Sequence, residues 1–204
     1  MSFAWGGPGA CGGALFLALL LFEPCFASAQ GLPSETLHPG TWRLGVQTGV
    51  GVGNNHVTGA SPYWSTGLQV GWTFTPERFP GRGRGNWEYG LEFVPVFVVR
   101  QGNTVSGFGV NPVVFRRTFT HGKRLAPFFE SSLGLLFFQS HVPPGDTSTE
   151  NLAVQAGGGI YLFTRRGRAI SFAAKIIHIS NGGLGDRNPE INGIHFTVGY
   201  QWFR

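Results

Sequence analysis

Hydrophobicity in this chain alternates residue by residue over stretches of about ten, and Gly, Pro and charged clusters cut these stretches apart. Beyond the N-terminal segment, no uninterrupted apolar run approaches the roughly 20 residues that a membrane-spanning helix needs. A period of two gives each strand one apolar and one small or polar face, as in the strands of a transmembrane β-barrel. Inside hydrocarbon every backbone N–H and C=O must be paired within the protein, so strands of this kind are stable only in a closed barrel.

Sorted by this rule, Trp42 to Gly53 sets Trp42, Leu44, Val46, Val50 and Val52 against Arg43, Gly45, Gln47, Gly49 and Gly51. Trp64 to Thr75 sets Leu68, Val70, Trp72 and Phe74 against Gly67, Gln69, Gly71 and Thr73. Trp87 to Phe97 sets Trp87, Tyr89, Leu91 and Phe93 against Glu88, Gly90 and Glu92. A fourth strand, Val105 to Thr120, opposes Phe108 and Val110 to Gly107, Gly109 and Asn111, with Pro112 interrupting its ladder. Phe128 to Ser140, Asn151 to Thr164, Ile170 to Ser180 and Gly193 to Phe203 complete the set. The expected fold is all-β, an eight-stranded antiparallel transmembrane β-barrel, whose even strand number lets the sheet close without an edge in lipid.

A barrel of this size is filled by its own side chains. Inward Arg43, Glu88, Glu92, Glu130 and Lys175 are therefore expected to pair in the lumen as structure, and His195 shares their parity. His56, His121 and His141 fall in or near connections and form no spaced metal set. With both termini periplasmic, the connections after strands two, four and six are periplasmic too. The basic residues are expected to gather there: Arg78, Arg82 and Arg84, then Arg116, Arg117, Lys123 and Arg124, then Arg165, Arg166 and Arg168. The net charge of +5 thus needs no nucleic acid. Gly81-Arg82-Gly83-Arg84-Gly85 has the look of an RNA-binding RGG segment, but in an exported barrel it reads as a solvated turn. Trp42, Trp64, Trp72, Trp87 and Trp202 suit interfacial girdles.

Residues 1–29 read as a secretory signal, with apolar Ala14 to Phe22 and the small-residue site Ala27-Ser28-Ala29, leaving residues 30–204 as the barrel domain. The usual positive n-region is missing, since the first Lys or Arg is Arg43. Cys11 and Cys25 both lie in this segment, so the mature domain is expected to carry neither thiol nor disulfide. Phe22-Glu23-Pro24 is a poor run-up to a lipoprotein site at Cys25.

Chemistry concentrates at the end of the seventh strand. Ile170, Phe172, Ala174, Ile176, His178 and Ser180 share one face, so an imidazole and a hydroxyl continue a surface that otherwise faces hydrocarbon. A nucleophile beside its base, aimed at lipid, fits that pairing. The connection that follows is external, which puts both groups at the level of the outer leaflet and its lipopolysaccharide.

The run His178-Ile179-Ser180-Asn181-Gly182-Gly183-Leu184, followed by Asn188-Pro189-Glu190-Ile191-Asn192 and a final strand, resembles the PagL family of lipid A 3-O-deacylases. Ala126-Pro127-Phe128-Phe129-Glu130 and Gly157-Gly158-Gly159 extend the resemblance, while towards the N-terminus only the barrel pattern agrees. The resemblance implies an outer-membrane esterase that removes the 3-O-linked acyl chain from lipid A, with Ser180 as nucleophile and His178 as base. It implies an oxyanion site from Asn181 with the backbone N–H of Gly182 or Gly183, and no metal or organic cofactor. The expected partners are lipid A and the outer membrane, with a homodimer kept as an option.

At the third catalytic position the family's glutamate aligns with Asn192, while Glu190 lies two residues earlier with the same parity. Asn192 can accept the imidazole N–H but cannot stabilise imidazolium charge as a carboxylate does. Asn192, Glu190 and the more remote Asp186 all stay open as the third member. Two other readings compete with the deacylase: a noncatalytic barrel whose His178 and Ser180 only mark a polar rim, and an esterase acting on a different membrane lipid.

Overall fold

Eight antiparallel strands close into a barrel in chain order in the computed structural model, which describes residues 33–145 and 147–204. They are β1 (Trp42–Asn55), β2 (Gly59–Thr73), β3 (Gly85–Gln101), β4 (Asn103–Phe119), β5 (Leu125–Phe138), β6 (Glu150–Arg165), β7 (Arg168–Ser180) and β8 (Ile191–Phe203). β1 pairs with β8, so no sheet edge is left. The expected fold class is met. The segment read as a secretory signal, with Cys11 and Cys25, lies outside the described residues.

Two prolines explain where simple alternation misleads. In β3 the inward residues run Glu88, Gly90, Glu92 and Val94, then change parity to Phe97, Val99 and Gln101 across an irregular pairing at Pro95. In β4 Asn111 points inward, and after the irregularity at Pro112 it is Val114 and Arg116 that do. A bulge adds one residue to one strand and so exchanges the faces of everything beyond it. Arg116 is therefore not in a periplasmic connection, as the sequence led us to expect, but in the lumen at 3% exposure. Arg117, also in β4, lies against the rings of Phe79, Trp87 and Phe119 at 5.1, 5.4 and 5.8 Å.

The lumen is layered. A charged belt crosses its middle, where Arg43 donates to Glu88 at 2.8 to 3.1 Å, to Gln69 at 2.8 Å and to Gln201 at 2.7 Å. Arg116 bridges Glu88 and Glu130, and Lys175 reaches Glu130 at 3.0 Å. Glu92 accepts from Gln47 and from Asn111. The pairing expected among Arg43, Glu88, Glu130 and Lys175 is present, with Arg116 as the member that alternation missed, whereas Glu92, expected to join it, takes amide donors in place of a cation. His195 is buried beside Ser65 and Gln155, as its parity implied. Apolar plugs close both ends: Leu37, Phe128, Tyr161, Phe163 and Phe203 at the end that carries the C-terminus, and Tyr63, Phe97, Phe138, Val142, Ile177 and Ile191 at the opposite end, the one expected to be external.

The register fixes how the strands lean. A line of paired residues starting at Trp42 passes through Trp72, Tyr89, Phe115, Ser131, Ala156, Ile176 and Ile194 and returns to β1 at Val52, ten residues above its start. With eight strands, the usual spacings convert that stagger into a tilt of about 40° from the barrel axis.

Candidate active site

β7 is bonded along its length to β6 and β8, so the positions of its side chains follow from register alone. Ile177 and Ile179 enter the external plug, while Ile176 is 66% exposed on the lipid face. His178 takes the next outward position, opposite Val154 of β6 and Asn192 of β8. Ser180 ends the strand opposite Leu152 and is nearly buried.

Four side chains line up across this surface. Ser180 Oγ lies 3.1 Å from His178 Nε2, and His178 Nδ1 lies 2.8 Å from Asn192 Oδ1. Asn192 Nδ2 donates to Glu190 Oε1 at 2.8 Å. The other Glu190 oxygen is 3.6 Å from His178 Nδ1. Ionised carboxylate can only accept, so it fixes which end of the Asn192 amide faces the imidazole. Asn192 Oδ1 then requires a proton on His178 Nδ1, which leaves the Nε2 lone pair for the Ser180 hydroxyl. Polarity thus runs in one direction from Glu190 to Ser180. The two candidates that the sequence left as rivals stand in series, while Asp186 makes no hydrogen bond or ion pair with His178.

The loop after β7 holds its shape with its own amides. Asn181 N donates to Asn188 Oδ1 at 3.1 Å, Asn181 Nδ2 donates to the Arg187 carbonyl at 2.8 Å, and Gly183 N donates to Asn181 Oδ1 at 2.9 Å. Gly182 and Gly183 sit at φ +65° and +80°, which glycine adopts without strain. Of the three groups expected at the oxyanion, Asn181 and Gly183 are committed to the loop, whereas the Gly182 N–H makes no hydrogen bond among the described residues. Sequence reasoning missed the part played by Leu152, whose Cδ1 lies 2.7 Å from where a Cβ on Gly182 would stand. Among the described residues no cluster of three His, Cys, Asp or Glu is placed to hold a metal ion.

The family model described as lipid A 3-O-deacylase (PagL) matches residues 39–201, nearly the whole barrel. The chain belongs to the PagL family. It is accordingly an outer-membrane β-barrel ester hydrolase of the lipid A 3-O-deacylase class. Among solved structures, the outer membrane enzyme PagL is 22% identical over 76% of this chain and 98% of its own, with a TM-score of 0.46. Neisserial surface protein A (NspA) is 9% identical over 80% of this chain and 98% of its own at a TM-score of 0.52, a likeness of fold alone. The outer membrane protein OprG from Pseudomonas aeruginosa is 10% identical over 87% of this chain and 99% of its own, with a TM-score of 0.48. No curated protein sequence matches the chain.

Proposed function

We propose that this PagL-family barrel hydrolyses the 3-O-linked ester of lipid A at the lipid-facing end of β7, through Ser180, His178, Asn192 and Glu190. The observation that carries the reading is the unbroken hydrogen-bond line from Glu190 through Asn192 and His178 to Ser180, on the outer wall of the barrel. Ser180 Oγ attacks the acyl carbonyl as His178 Nε2 takes its proton. The Gly182 N–H stabilises the oxyanion of the tetrahedral intermediate. His178 then protonates the departing 3-oxygen of the sugar, leaving an acyl-serine. Water, deprotonated by the same nitrogen, attacks that ester, and the free 3-hydroxy fatty acid departs as Ser180 recovers its proton. Asn192 holds the imidazole in the working tautomer, and Glu190 sets the direction of the amide and offsets imidazolium charge from 3.6 Å.

Mass spectrometry of lipid A from cells expressing the wild type or Ser180→Ala tests this, with barrel folding checked by heat-modifiable migration. Loss of one 3-hydroxyacyl chain with the wild type alone is the expected result. Unchanged lipid A alongside a folded wild-type barrel and accessible substrate would defeat it and favour another lipid ester or a noncatalytic barrel.

A further inference from the structure

At the end of the barrel remote from Ser180, the connections carry cations that neither the lumen nor the catalytic line uses. Arg78 and Arg82 lie between β2 and β3, Lys123 and Arg124 between β4 and β5, and Arg165 and Arg166 around the β6–β7 turn. All six are exposed, and none makes an ion pair among the described residues. Against them, the described residues place at this end only Glu35 and Glu77 as acidic side chains, and Glu77 is already paired with Arg84 at 3.5 Å. Backbone hydrogen bonds set the connections side by side: Thr120 N donates to the Arg84 carbonyl and Phe163 N to the Arg124 carbonyl, each at 2.9 Å. The cations therefore stand on one continuous rim. At the Ser180 end the balance is reversed, with Arg100 and Arg187 beside Glu150, Asp186 and Glu190.

The β2–β3 connection is held in a fixed shape. Arg78 and Gly85 bond to each other in both directions, N to O at 2.9 and 3.2 Å. Arg117 supports the turn from the barrel side, donating to the Gly83 carbonyl at 2.9 Å and to the Arg78 carbonyl at 3.4 Å. Between the cations stands Phe79, at φ +68° and 67% exposed. A bulky residue in the left-handed region is strained, and an aromatic ring left in water returns nothing for that strain. Seated in the boundary of a membrane it does, as apolar side chains of interfacial segments do between basic ones. Phe79 shares the Arg117 guanidinium with Trp87, which puts it at the level of the outward tryptophans Trp42, Trp72 and Trp87 at the same strand ends. Aromatic side chains of this kind mark the membrane–water boundary of a barrel.

We infer that this rim is a binding surface for the phosphates of anionic phospholipid headgroups, with Phe79 seated among the acyl chains beside them. On the proposed function the Ser180 end meets lipopolysaccharide, so the rim meets the leaflet of phospholipids. The Gly81-Arg82-Gly83-Arg84-Gly85 run is then a headgroup contact: arginine-rich segments take up RNA as flexible chains that fold on binding, whereas this one is pinned by Arg117 beside the aromatic belt. Each Lys or Arg close to an anionic membrane surface adds roughly fivefold to association.

Electron spin resonance tests this with spin-labelled phosphatidylglycerol or phosphatidylcholine, each at trace level in phosphatidylcholine vesicles that hold the refolded full-length barrel. The fraction of each label immobilised at the protein gives their relative association. The wild type is expected to favour phosphatidylglycerol, and to lose that preference at about 1 M NaCl, where the screening length falls to about 3 Å. Arg78→Gln/Arg82→Gln/Arg165→Gln/Arg166→Gln should lose most of it, while Arg100→Gln/Arg187→Gln, at the other end, should keep it. No preference in the wild type, a preference that survives the salt, or equal loss from both sets of substitutions would overturn the assignment. So would retention of a single-stranded RNA oligonucleotide in place of phosphatidylglycerol. The salt arm needs only the wild type and stands even where a variant fails to assemble. The measurement involves no turnover, so its outcome and that of the deacylase reading are told apart.

Discussion

Replacing Glu190 by Gln separates a carboxylate that directs the site from one that merely stands beside it. Glu190 accepts from Asn192 Nδ2 at 2.8 Å, and its second oxygen lies 3.6 Å from His178 Nδ1. Glutamine keeps the size but presents either an oxygen or an NH2 group, so the Asn192 amide is free to turn over. Turned over, it offers a donor to Nδ1 and drives the imidazole proton to Nε2, where it cannot accept from Ser180. If both orientations are equally populated, the cost is about twofold in rate. Loss of charge adds more. Two unit charges about 4 Å apart interact by about 1 kcal/mol in water and about 4 kcal/mol at an effective dielectric of 20. The Glu190 and His178 side chains are 43% and 39% exposed, so the lower part of that range applies. A transition state losing about 1–2 kcal/mol slows roughly 5- to 30-fold.

Asn192→Ala removes the acceptor hydrogen-bonded to Nδ1 and cuts the link to Glu190 together, for about 10- to 100-fold. Because part of the Glu190 effect passes through Asn192, the double variant should fall short of the summed single costs. Initial rates of 3-hydroxy fatty acid release from lipid A in detergent, with Ser180→Ala as the blank, measure all three. Wild-type kcat in Glu190→Gln, or strict additivity in the double variant, would refute the relay.

Ser180→Ala should lower kcat by on the order of 10⁴-fold or more while the barrel still folds, read as acid release against heat-modifiable migration. Gly182→Ala imposes a side chain at φ +65° and 2.7 Å from Leu152 Cδ1, so deacylation should fall about 5- to 30-fold from a local strain of about 1–2 kcal/mol; a variant of wild-type activity would show that the loop conformation is not needed. Glu130→Gln leaves Lys175 and part of Arg116 without their countercharge in the lumen, and should cost about 3 kcal/mol in urea unfolding of the refolded barrel. An unmoved unfolding midpoint would mean that the belt contributes no net stability.

How far the sequence could be read depended on whether alternation stayed in phase. Where it did, as from Trp42 along β1 and from Ile170 along β7, the lipid face was legible residue by residue, and the outward placement of His178 followed. It failed beyond Pro95 and Pro112, because a bulge changes parity without changing composition, and so Arg116 was read as a solvated cation when it is a central member of the buried belt. At the site, Asn192 and Glu190 share a parity, and parity could not rank them. The order emerged from the point where β8 begins, at Ile191, which brings Asn192 into the ladder opposite His178 and leaves Glu190 just outside it. The commitment of the Asn181 amide to the loop was equally illegible, since its contacts to Arg187 and Gly183 exist only once the backbone is folded.

A site on the outer wall of a barrel packed with its own side chains, instead of in a cleft, places unusual demands on lipid cleavage. The wall must be rigid, and β7 is held from three directions: hydrogen-bonded to β6 and β8, anchored inwards by Ile177 and Ile179 in the external plug, and tied by Lys175 to Glu130 in the charged belt. His178 projects from that fixed segment towards lipid, so the Ser180–His178 geometry needs no loop closure to form. The substrate in turn arrives by diffusing within the leaflet, its sugar already at the headgroup level and its chains already near the normal. The membrane thus supplies much of the orientation that a soluble esterase obtains from a deep pocket. On this argument selectivity depends less on enclosure than on the height of Ser180 relative to the ester.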